Sequence, residues 1–164
     1  MKLNEEEDML QIRPFNDSQR DFDRMVQCYQ IGFPGGHNRY SLKREARDFG
    51  GTIMIAEENE RIIGVIIGRT LQNTAKLGAL SVIPGVQSTC SLQLIQALAQ
   101  QFVSLDYRNA IATTKRRSVA RLAQMVSASI RFDPNHFYDN DGRHVMEMDI
   151  ASFVRLQQII AKRR

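Results

Sequence analysis

A short segment rich in hydroxyl groups stands between a strand-like run and a helix-like run in the middle of the chain. The apolar run 77–82 ends at Ile83-Pro84-Gly85, and the polar residues Gln87-Ser88-Thr89-Cys90-Ser91 precede apolar residues at helical spacing. The first N–H groups of a helix lack intrahelical partners and carry a partial positive charge, which favours a phosphate or another anion. The segment is a candidate phosphate-binding turn, although an ordinary connection capped by serine or threonine has the same pattern.

The elements that would hold this turn follow from the spacing of apolar residues. Helical spacing predicts helices over about 18–31, 42–49, 90–104, 117–129 and 153–161. Strand patterns lie at about 12–15, 52–57, 61–70, 76–82, 110–113 and 144–150. Ser18 and Asp21 resemble a capping box at the start of the first helix. The order predicts a mixed α/β fold, in which an antiparallel group of strands precedes a crossover helix between two parallel strands.

Length and composition fit one globular domain. The chain has 164 residues, of which 43% are hydrophobic and 24% are charged. We divide it into an acidic lead-in at 1–10, a single domain over 11–150, and a C-terminal helix with a basic tail over 151–164. The last helix packs either on this core or on a second copy of the chain, so a homodimer is one alternative. No apolar run is long enough to cross a bilayer, and no signal sequence opens the chain.

Cysteine and histidine usage argues against disulfides and metal sites. Cys28 and Cys90 form no disulfide framework, and the three scattered histidines have no metal-ligand spacing. We therefore expect a cytoplasmic protein without a metal and without a membrane partner. The net charge of +4 and the pI of about 9.3 suit an anionic ligand and also weak contact with nucleic acid. A nucleic-acid partner is the less favoured alternative, because Lys115-Arg116-Arg117 lacks interleaved aromatic residues.

Several local signatures occur in the order known from one enzyme family. Ile12-Arg13-Pro14-Phe15 matches its first strand, residues 53–57 and 62–68 match its second and third, and Leu80-Ser81-Val82-Ile83-Pro84 matches its fourth, with a V-x-P ending. From about residue 12 to 150 the chain resembles the GCN5-related N-acetyltransferases (GNATs). The resemblance implies a mixed sheet of antiparallel strands with a central, splayed parallel pair and helices on both faces.

The resemblance implies acetyl-CoA or another acyl-CoA as co-substrate. In the family the pantetheine arm enters between the splayed strands like an added strand, which here implies contacts with the backbone of Leu80, Ser81 and Val82. The diphosphate would contact N–H groups of Gln87, Ser88, Thr89, Cys90, Ser91 and Leu92. The family pattern is Gln/Arg-x-x-Gly-x-Gly/Ala, so Cys90 and Leu92 depart from it, and Leu92 would crowd the diphosphate. Arg117 and Arg121 would pair with the 3′-phosphate of coenzyme A or with an acidic carrier protein, unless they are a plain exposed helix face.

The implied reaction is the attack of a primary amine, on a small molecule or a protein, on the thioester carbonyl in a ternary complex. The Val82 N–H is the implied donor to the developing oxyanion. The tyrosine that the family often has in the helix after the fifth strand is missing, since Gln124 or Met125 stands there. Glu57, Glu58 and Tyr138 are alternatives for proton transfer, and we assign no catalytic residue.

The acceptor side is predicted from the loop between the first two helices, which lines the acceptor pocket in the family. Here the loop contains Phe33, Pro34, His37 and Tyr40. Phe33 and Tyr40 would clamp an amine or an apolar chain, or would simply pack the loop on the sheet, and His37 would face solvent or the acceptor. Two functions remain open at this point: an acyl-CoA-dependent N-acyltransferase, and a domain of the same fold that binds or regulates without catalysis.

Overall fold

The computed structural model describes residues 10–16, 18–32, 34–35, 38–85, 89–114, 117–126, 128–133 and 142–162. Strands and α-helices follow one another in the order β1 (Gln11–Pro14), α1 (Gln19–Gly32), α2 (Arg39–Phe49), β2 (Ile53–Glu58), β3 (Arg61–Leu71), β4 (Thr74–Val82), α3 (Thr89–Ser104), β5 (Asn109–Thr114), α4 (Arg117–Met125), β6 (Ser129–Asp133), β7 (Arg143–Asp149) and α5 (Ile150–Lys162). No helix in these ranges is long and apolar enough to cross a membrane.

The strands form a single seven-stranded sheet in the order β1-β2-β3-β4-β5-β7-β6. Neighbouring strands are antiparallel except for β4 and β5, which are parallel and are joined by the crossover helix α3. The predicted mixed α/β fold with a central parallel pair is therefore confirmed. Because parallel strands need a long connection, α3 must pass over one face of the sheet between β4 and β5.

Helices cover both faces of the sheet, as predicted. α1 contacts β3 and β4, and α2 contacts β3, while α3 packs on the opposite face against β1 to β4. Two glycines of β3 let α3 approach closely. A Cβ at Gly64 would lie 2.8 Å from Cδ1 of Leu94, and one at Gly68 would lie 2.6 Å from Cζ of Phe102. The last helix, α5, buries Phe153 and Leu156 and contacts α3 and α4, so it packs on the core of its own chain.

The start of α1 differs from the predicted capping box. The Ser18 hydroxyl accepts a hydrogen bond from the Asp21 N–H at 3.2 Å, which is the expected first half. The Asp21 carboxylate does not return to Ser18. It accepts instead from the Asn16 N–H at 2.9 Å and pairs with the guanidinium groups of Arg13 and Arg24. Pairing with two guanidinium groups adds an attraction between full charges that a bond to the Ser18 N–H would not supply, so the carboxylate turns to the arginines.

Two elements near the C-terminus also differ from the prediction. The strand β6 is absent from the predicted elements because its five residues, Ser129–Asp133, are too few and too polar to show a clear alternation. The last helix begins at Ile150, three residues earlier than predicted. Asp149 ends β7, and its carboxylate accepts a hydrogen bond from the Ser152 N–H at 2.6 Å, so one residue ends the strand and caps the helix.

Candidate active site

A gap opens between the two parallel strands at the centre of the sheet. β4 and β5 pair over three positions only, Thr74↔Asn109, Ala75↔Ala110 and Lys76↔Ile111. Both strands continue, β4 to Val82 and β5 to Thr114, without further pairing to each other. The edge of β4 from 77 to 82 that faces β5 therefore keeps backbone groups that no strand satisfies, and such groups seek a partner.

A β-bulge lies in β4 at the place where its pairing with β5 ends. The β3–β4 register pairs Gly68 with Leu77 and Ile66 with Leu80, so two residues of β4 oppose a single residue of β3. A bulge of this kind bends the strand that carries the extra residue and increases its local twist. The bulge lies directly after Lys76, the last residue of β4 that pairs with β5. The chain sequence around the bulge, Leu77-Gly78-Ala79-Leu80, gave no sign of it.

The hydrogen-bond pattern with β3 shows which groups face the gap. Ile83 donates its N–H to the carbonyl of Ile63 at 3.0 Å. Along an antiparallel strand, the backbone N–H and C=O groups of successive residues point alternately to the neighbour on one side and to the other side. The groups of Ser81 therefore point to β3, and those of Leu80 and Val82 point to the gap.

The backbone direction of Ser81 differs from the predicted contact with pantetheine. Leu80 and Val82 keep the orientation expected of pantetheine contacts, but the backbone of Ser81 belongs to the β3 ladder. Its side chain is 1% exposed and donates a hydrogen bond to the Tyr29 carbonyl of α1 at 3.3 Å. The serine therefore joins α1 to β4, and its polar groups are used inside the protein.

The start of α3 lies just beyond the end of β4. The chain turns at Pro84 and Gly85, and Gly85 has a φ of 84°, a left-handed conformation that glycine adopts without strain. α3 begins at Thr89, so the N–H groups of its first turn have no acceptor within the helix. Gln87 and Ser88 lie outside the residues that the structure describes, so the predicted turn is seen only from Thr89 onward.

Cys90 explains how a residue other than glycine fits this helix start. Its side chain is fully buried and points toward Gly64 of β3, where a Cβ would lie 3.2 Å from the Cys90 sulfur. The thiol thus faces the core and leaves the N–H side of the first turn to the exterior. Burial raises the pKa of the Cys90 thiol, so this group stays protonated at neutral pH and is no nucleophile. Leu92 is half-buried in the same turn.

Replacing Gly32 is expected to disturb the gap from the side of α1. A Cβ there would lie 2.3 Å from the Ser81 hydroxyl and 2.8 Å from the carbonyl oxygen of Val82, and that carbonyl is backbone. We expect Gly32→Ala to destabilise the protein by about 1–3 kcal/mol, because α1 must move off the end of β4.

Urea unfolding of the wild type and the variant measures this effect. Gly51→Ala is the matched control, since a Cβ at Gly51 meets nothing within 4 Å and the residue is exposed. Equal unfolding midpoints for both variants would show that α1 does not depend on this contact.

Comparisons with known proteins identify the fold. No model of a known protein family matches the sequence, and no curated protein does. Among solved structures, Ard1 from Thermoplasma volcanium superposes with a TM-score of 0.69 at 14% identity, over 85% of this chain and 97% of the other. The ribosomal-protein-S18-alanine N-acetyltransferase from Escherichia coli has a TM-score of 0.70 at 12% identity, over 87% of this chain and 94% of the other. The diaminobutyrate acetyltransferase EctA from Paenibacillus lautus was solved with L-2,4-diaminobutyric acid and coenzyme A. It has a TM-score of 0.66 at 17% identity, over 87% of this chain and 96% of the other.

This chain has the GNAT fold. The structural likeness extends over most of both chains in each comparison, and the loading GNATL domain of CurA from Lyngbya majuscula gives a similar match, with a TM-score of 0.67. The resemblance inferred from the residues is therefore confirmed at the level of the fold.

Of the remaining residues with a predicted contact, the structure describes Arg117, Arg121 and Tyr40. Arg117 begins α4 and Arg121 lies one helical turn further on, and both are exposed. Tyr40 is in the first turn of α2 and is 78% exposed, so it packs against little of the described structure. Phe33 and His37 lie outside the described residues, as does Tyr138. The roles predicted for these residues remain predictions.

One candidate base, Glu57, has its carboxylate engaged by two arginines. Glu57 at the end of β2 accepts hydrogen bonds from the Arg13 guanidinium at 2.8 and 3.2 Å and lies 3.5 Å from that of Arg24. To contact a substrate, this carboxylate would have to give up these hydrogen bonds, and that would leave the arginines without a partner at a cost in free energy. Glu58, its neighbour, is half-buried and makes no such pair among the described residues.

Proposed function

We propose that the protein is an acyl-CoA-dependent N-acyltransferase, which moves an acyl group from acyl-CoA to a primary amine by direct attack in a ternary complex. The observation that carries the proposal is the separation of β4 from β5 after three paired positions, at the sheet end where α3 begins. An extended pantetheine arm can hydrogen-bond to the free edge of β4 as an added strand does. The EctA neighbour was solved with coenzyme A, and another, yncA from Salmonella typhimurium, with acetyl-CoA.

The backbone supplies the groups that this reaction needs most. The Leu80 and Val82 groups directed to the gap would hold the pantetheine, and the N–H groups from Thr89 to Leu92 would hold the diphosphate. The Val82 N–H would donate to the oxyanion that forms when the amine attacks the thioester carbonyl. Because these contacts use the backbone, they tolerate Cys90 and Leu92 where the family pattern has small residues. Holding both substrates together supplies a further large part of the rate.

A binding or regulatory module without catalysis is the second candidate. The observation in its favour is that the strand segments beside the gap, 77–82 and 112–114, contain no ionisable side chain. Attack requires a neutral amine, so a base or a chain of waters must take its proton. Glu57 is held by two arginines, which leaves Glu58 or a chain of waters to take the proton, and an amine with a low pKa would be the favoured acceptor.

Calorimetric titration with acetyl-CoA, octanoyl-CoA and free coenzyme A tests the proposal first. We expect at least one to bind, and a panel of primary amines, small and peptidic, would then be screened by release of the free thiol. Binding without any thiol release would favour the second candidate. Absence of binding by all three would contradict both the proposal and its alternative as a coenzyme A module.

Dephospho-coenzyme A refines this test for Arg117 and Arg121. If these residues pair with the 3′-phosphate, the variants Arg117→Met and Arg121→Met should bind coenzyme A more weakly and dephospho-coenzyme A as tightly as the wild type does. We also place the protein in the cytoplasm, where its two buried, free cysteines would stay reduced.

A further inference from the structure

A cavity of about 200 Å³ lies along one flank of α1, away from the gap between β4 and β5. Arg24, Cys28 and Ile31 of α1 line it, at spacings that place them on one side of the helix. The other lining residues are Gln27 of α1, Glu60 in the turn before β3, Arg61 and Ile62 at the start of β3, and Ile83 just after β4. β3 is the neighbour of β4 on the side opposite β5, so the strand β4 separates this cavity from the gap.

The inner part of the cavity is apolar. Cys28 and Ile83 are 2% and 8% exposed and form part of the core, while Ile31 stands at the rim with 44% of its surface exposed. Burial raises the pKa of the Cys28 thiol to about 12, so this group is neutral and behaves as a small apolar side chain. A short aliphatic chain that covered Ile31 would remove apolar surface from water, which is favourable.

The rim of the cavity carries a cation and an anion that have no partner. Among the described residues, Arg61 makes no ion pair or side-chain hydrogen bond, and neither does the Glu60 carboxylate. The Glu60 carbonyl, by contrast, accepts a bond from Nη1 of Arg24 at 2.5 Å. This bond holds the β2–β3 turn, where Asn59 and Glu60 both have positive φ, against α1.

Arg24 adds one unused donor to the same place. Its Nη2 is paired with Asp21 at 2.9 Å and lies 3.5 Å from Glu57. Its Nε is buried and finds no acceptor in the part of the chain that the structure describes. A buried N–H without an acceptor costs free energy, so Arg24 has an unsatisfied donor in this part of the protein.

The charges around the cavity decide what kind of ligand fits. Arg13 and Arg24 are balanced by Asp21 and Glu57, which leaves Arg61 and Glu60 as one positive and one negative group at the rim. A simple anion would be repelled by Glu60, and a simple cation by Arg61. A molecule with both charges satisfies both residues, with its carboxylate toward the arginines and its ammonium group toward the glutamate.

We propose that this cavity binds a small zwitterion with an aliphatic chain, of the kind represented by a free aliphatic amino acid. Pockets for drug-sized molecules measure about 300–1,000 Å³, so this smaller cavity suits a ligand of that size. The site goes beyond the proposed acyl transfer and does not depend on it. It lies beside Ile83, which directly follows the Val82 of the gap.

Three related compounds test the proposal in calorimetric titrations of the full chain without coenzyme A. L-Leucine carries both charges, 4-methylpentanoate is leucine without the amino group, and 3-methylbutylamine is leucine without the carboxylate. We expect leucine to bind at least tenfold more tightly than either analogue. No detectable binding of leucine at millimolar concentration, or equal binding of all three compounds, would overturn the proposal.

Variants at the rim then locate the site. Arg61→Met and Glu60→Gln should each weaken leucine binding by about five- to tenfold, since each removes one exposed charge-assisted contact. Arg20→Met is the matched control for Arg61→Met, because Arg20 is an exposed arginine of α1 that does not line the cavity. Circular dichroism checks that each variant is folded. Unchanged leucine binding by both rim variants would place the ligand elsewhere and overturn the proposal.

Discussion

Replacing Val82 with proline is expected to lower the rate of acyl transfer by about 100- to 1,000-fold, the usual cost of removing one oxyanion donor. Proline has no N–H, and the Val82 N–H points into the gap rather than to β3. The β3–β4 ladder therefore keeps its hydrogen bonds, as it does when proline stands on the free side of an edge strand. The preceding residue, Ser81, is already extended within β4, which suits the position before a proline.

The measurement is the initial rate of thiol release with an amine found in the screen, together with the affinity for the acyl-CoA. Val82→Ala keeps the N–H and should keep most of the rate. Ser81→Pro removes an N–H that donates to β3, so it should lower the unfolding midpoint. Val82→Pro removes no bond to β3 and should leave the midpoint unchanged. If Val82→Pro retained the full rate while remaining folded, the Val82 N–H would have no part in the reaction.

Replacing Asp21 with asparagine is expected to destabilise the protein at neutral pH by about 2 kcal/mol. Asp21 is 3% exposed and accepts bonds from Arg13 at 2.7 and 2.8 Å, from Arg24 at 2.9 Å and from the Asn16 N–H at 2.9 Å. These bonds, above all those from Arg13, lower the pKa of Asp21 to about 2, although burial acts in the opposite direction. A carboxyl group in an unfolded chain has a pKa near 3.9, and a difference of about 2 units is worth roughly 2–3 kcal/mol.

The pH dependence follows from the direction of that shift. Because the folded state lowers the pKa of Asp21, its contribution is complete above about pH 5 and is lost as the pH falls toward 2. Urea unfolding at pH 7, 5, 4 and 3 should therefore show the wild type and Asp21→Asn converging as the pH falls. Asp23→Asn is the matched control: this exposed residue of the same helix pairs with Arg39 at the surface, and its loss should change little. A difference between wild type and Asp21→Asn that stayed constant from pH 7 to 3 would contradict this account.

The ion cluster of Arg13, Asp21, Arg24 and Glu57 also bears on function. It joins β1, α1 and the end of β2, and it engages the carboxylate of Glu57. From the sequence, Glu57 was an alternative for proton transfer because it ends a strand in a plausible place. Its partners Arg13 and Arg24 lie 44 and 33 residues away along the chain, and a local sequence pattern does not predict contacts between residues so far apart.

Several parts of the fold were predicted closely because their signals are local. The helix α3 was predicted over 90–104 and runs from Thr89 to Ser104, since its apolar face repeats clearly and a polar turn precedes it. The hairpin of β2 and β3 was predicted from a polar turn between two β-branched runs, and it is formed. Five-residue β6 was missed, because a strand that short owes its conformation mainly to pairing with β7.

In the candidate site too, the sequence predicted which residues take part, and the tertiary structure decided how they are oriented. The family resemblance predicts acyl-CoA contacts at Leu80, Ser81 and Val82 and over residues 87–92. The outward direction of Leu80 and Val82, and the inward use of Ser81, depend on the register with β3. A shift of one residue would exchange them, and register is decided by the packing of the whole sheet.

By itself, the sequence determined the type and order of most elements and the strand–turn–helix that a GNAT-like site would use. These depend on the period of apolar residues and on turn residues, which act within a few positions of the chain. Only the tertiary structure decided the bulge in β4, the separation of β4 from β5, the ion cluster that holds Glu57 and the cavity beside α1. Each of these arises where segments distant in sequence meet, because packing and hydrogen bonding between them select one geometry among several that the local sequence allows.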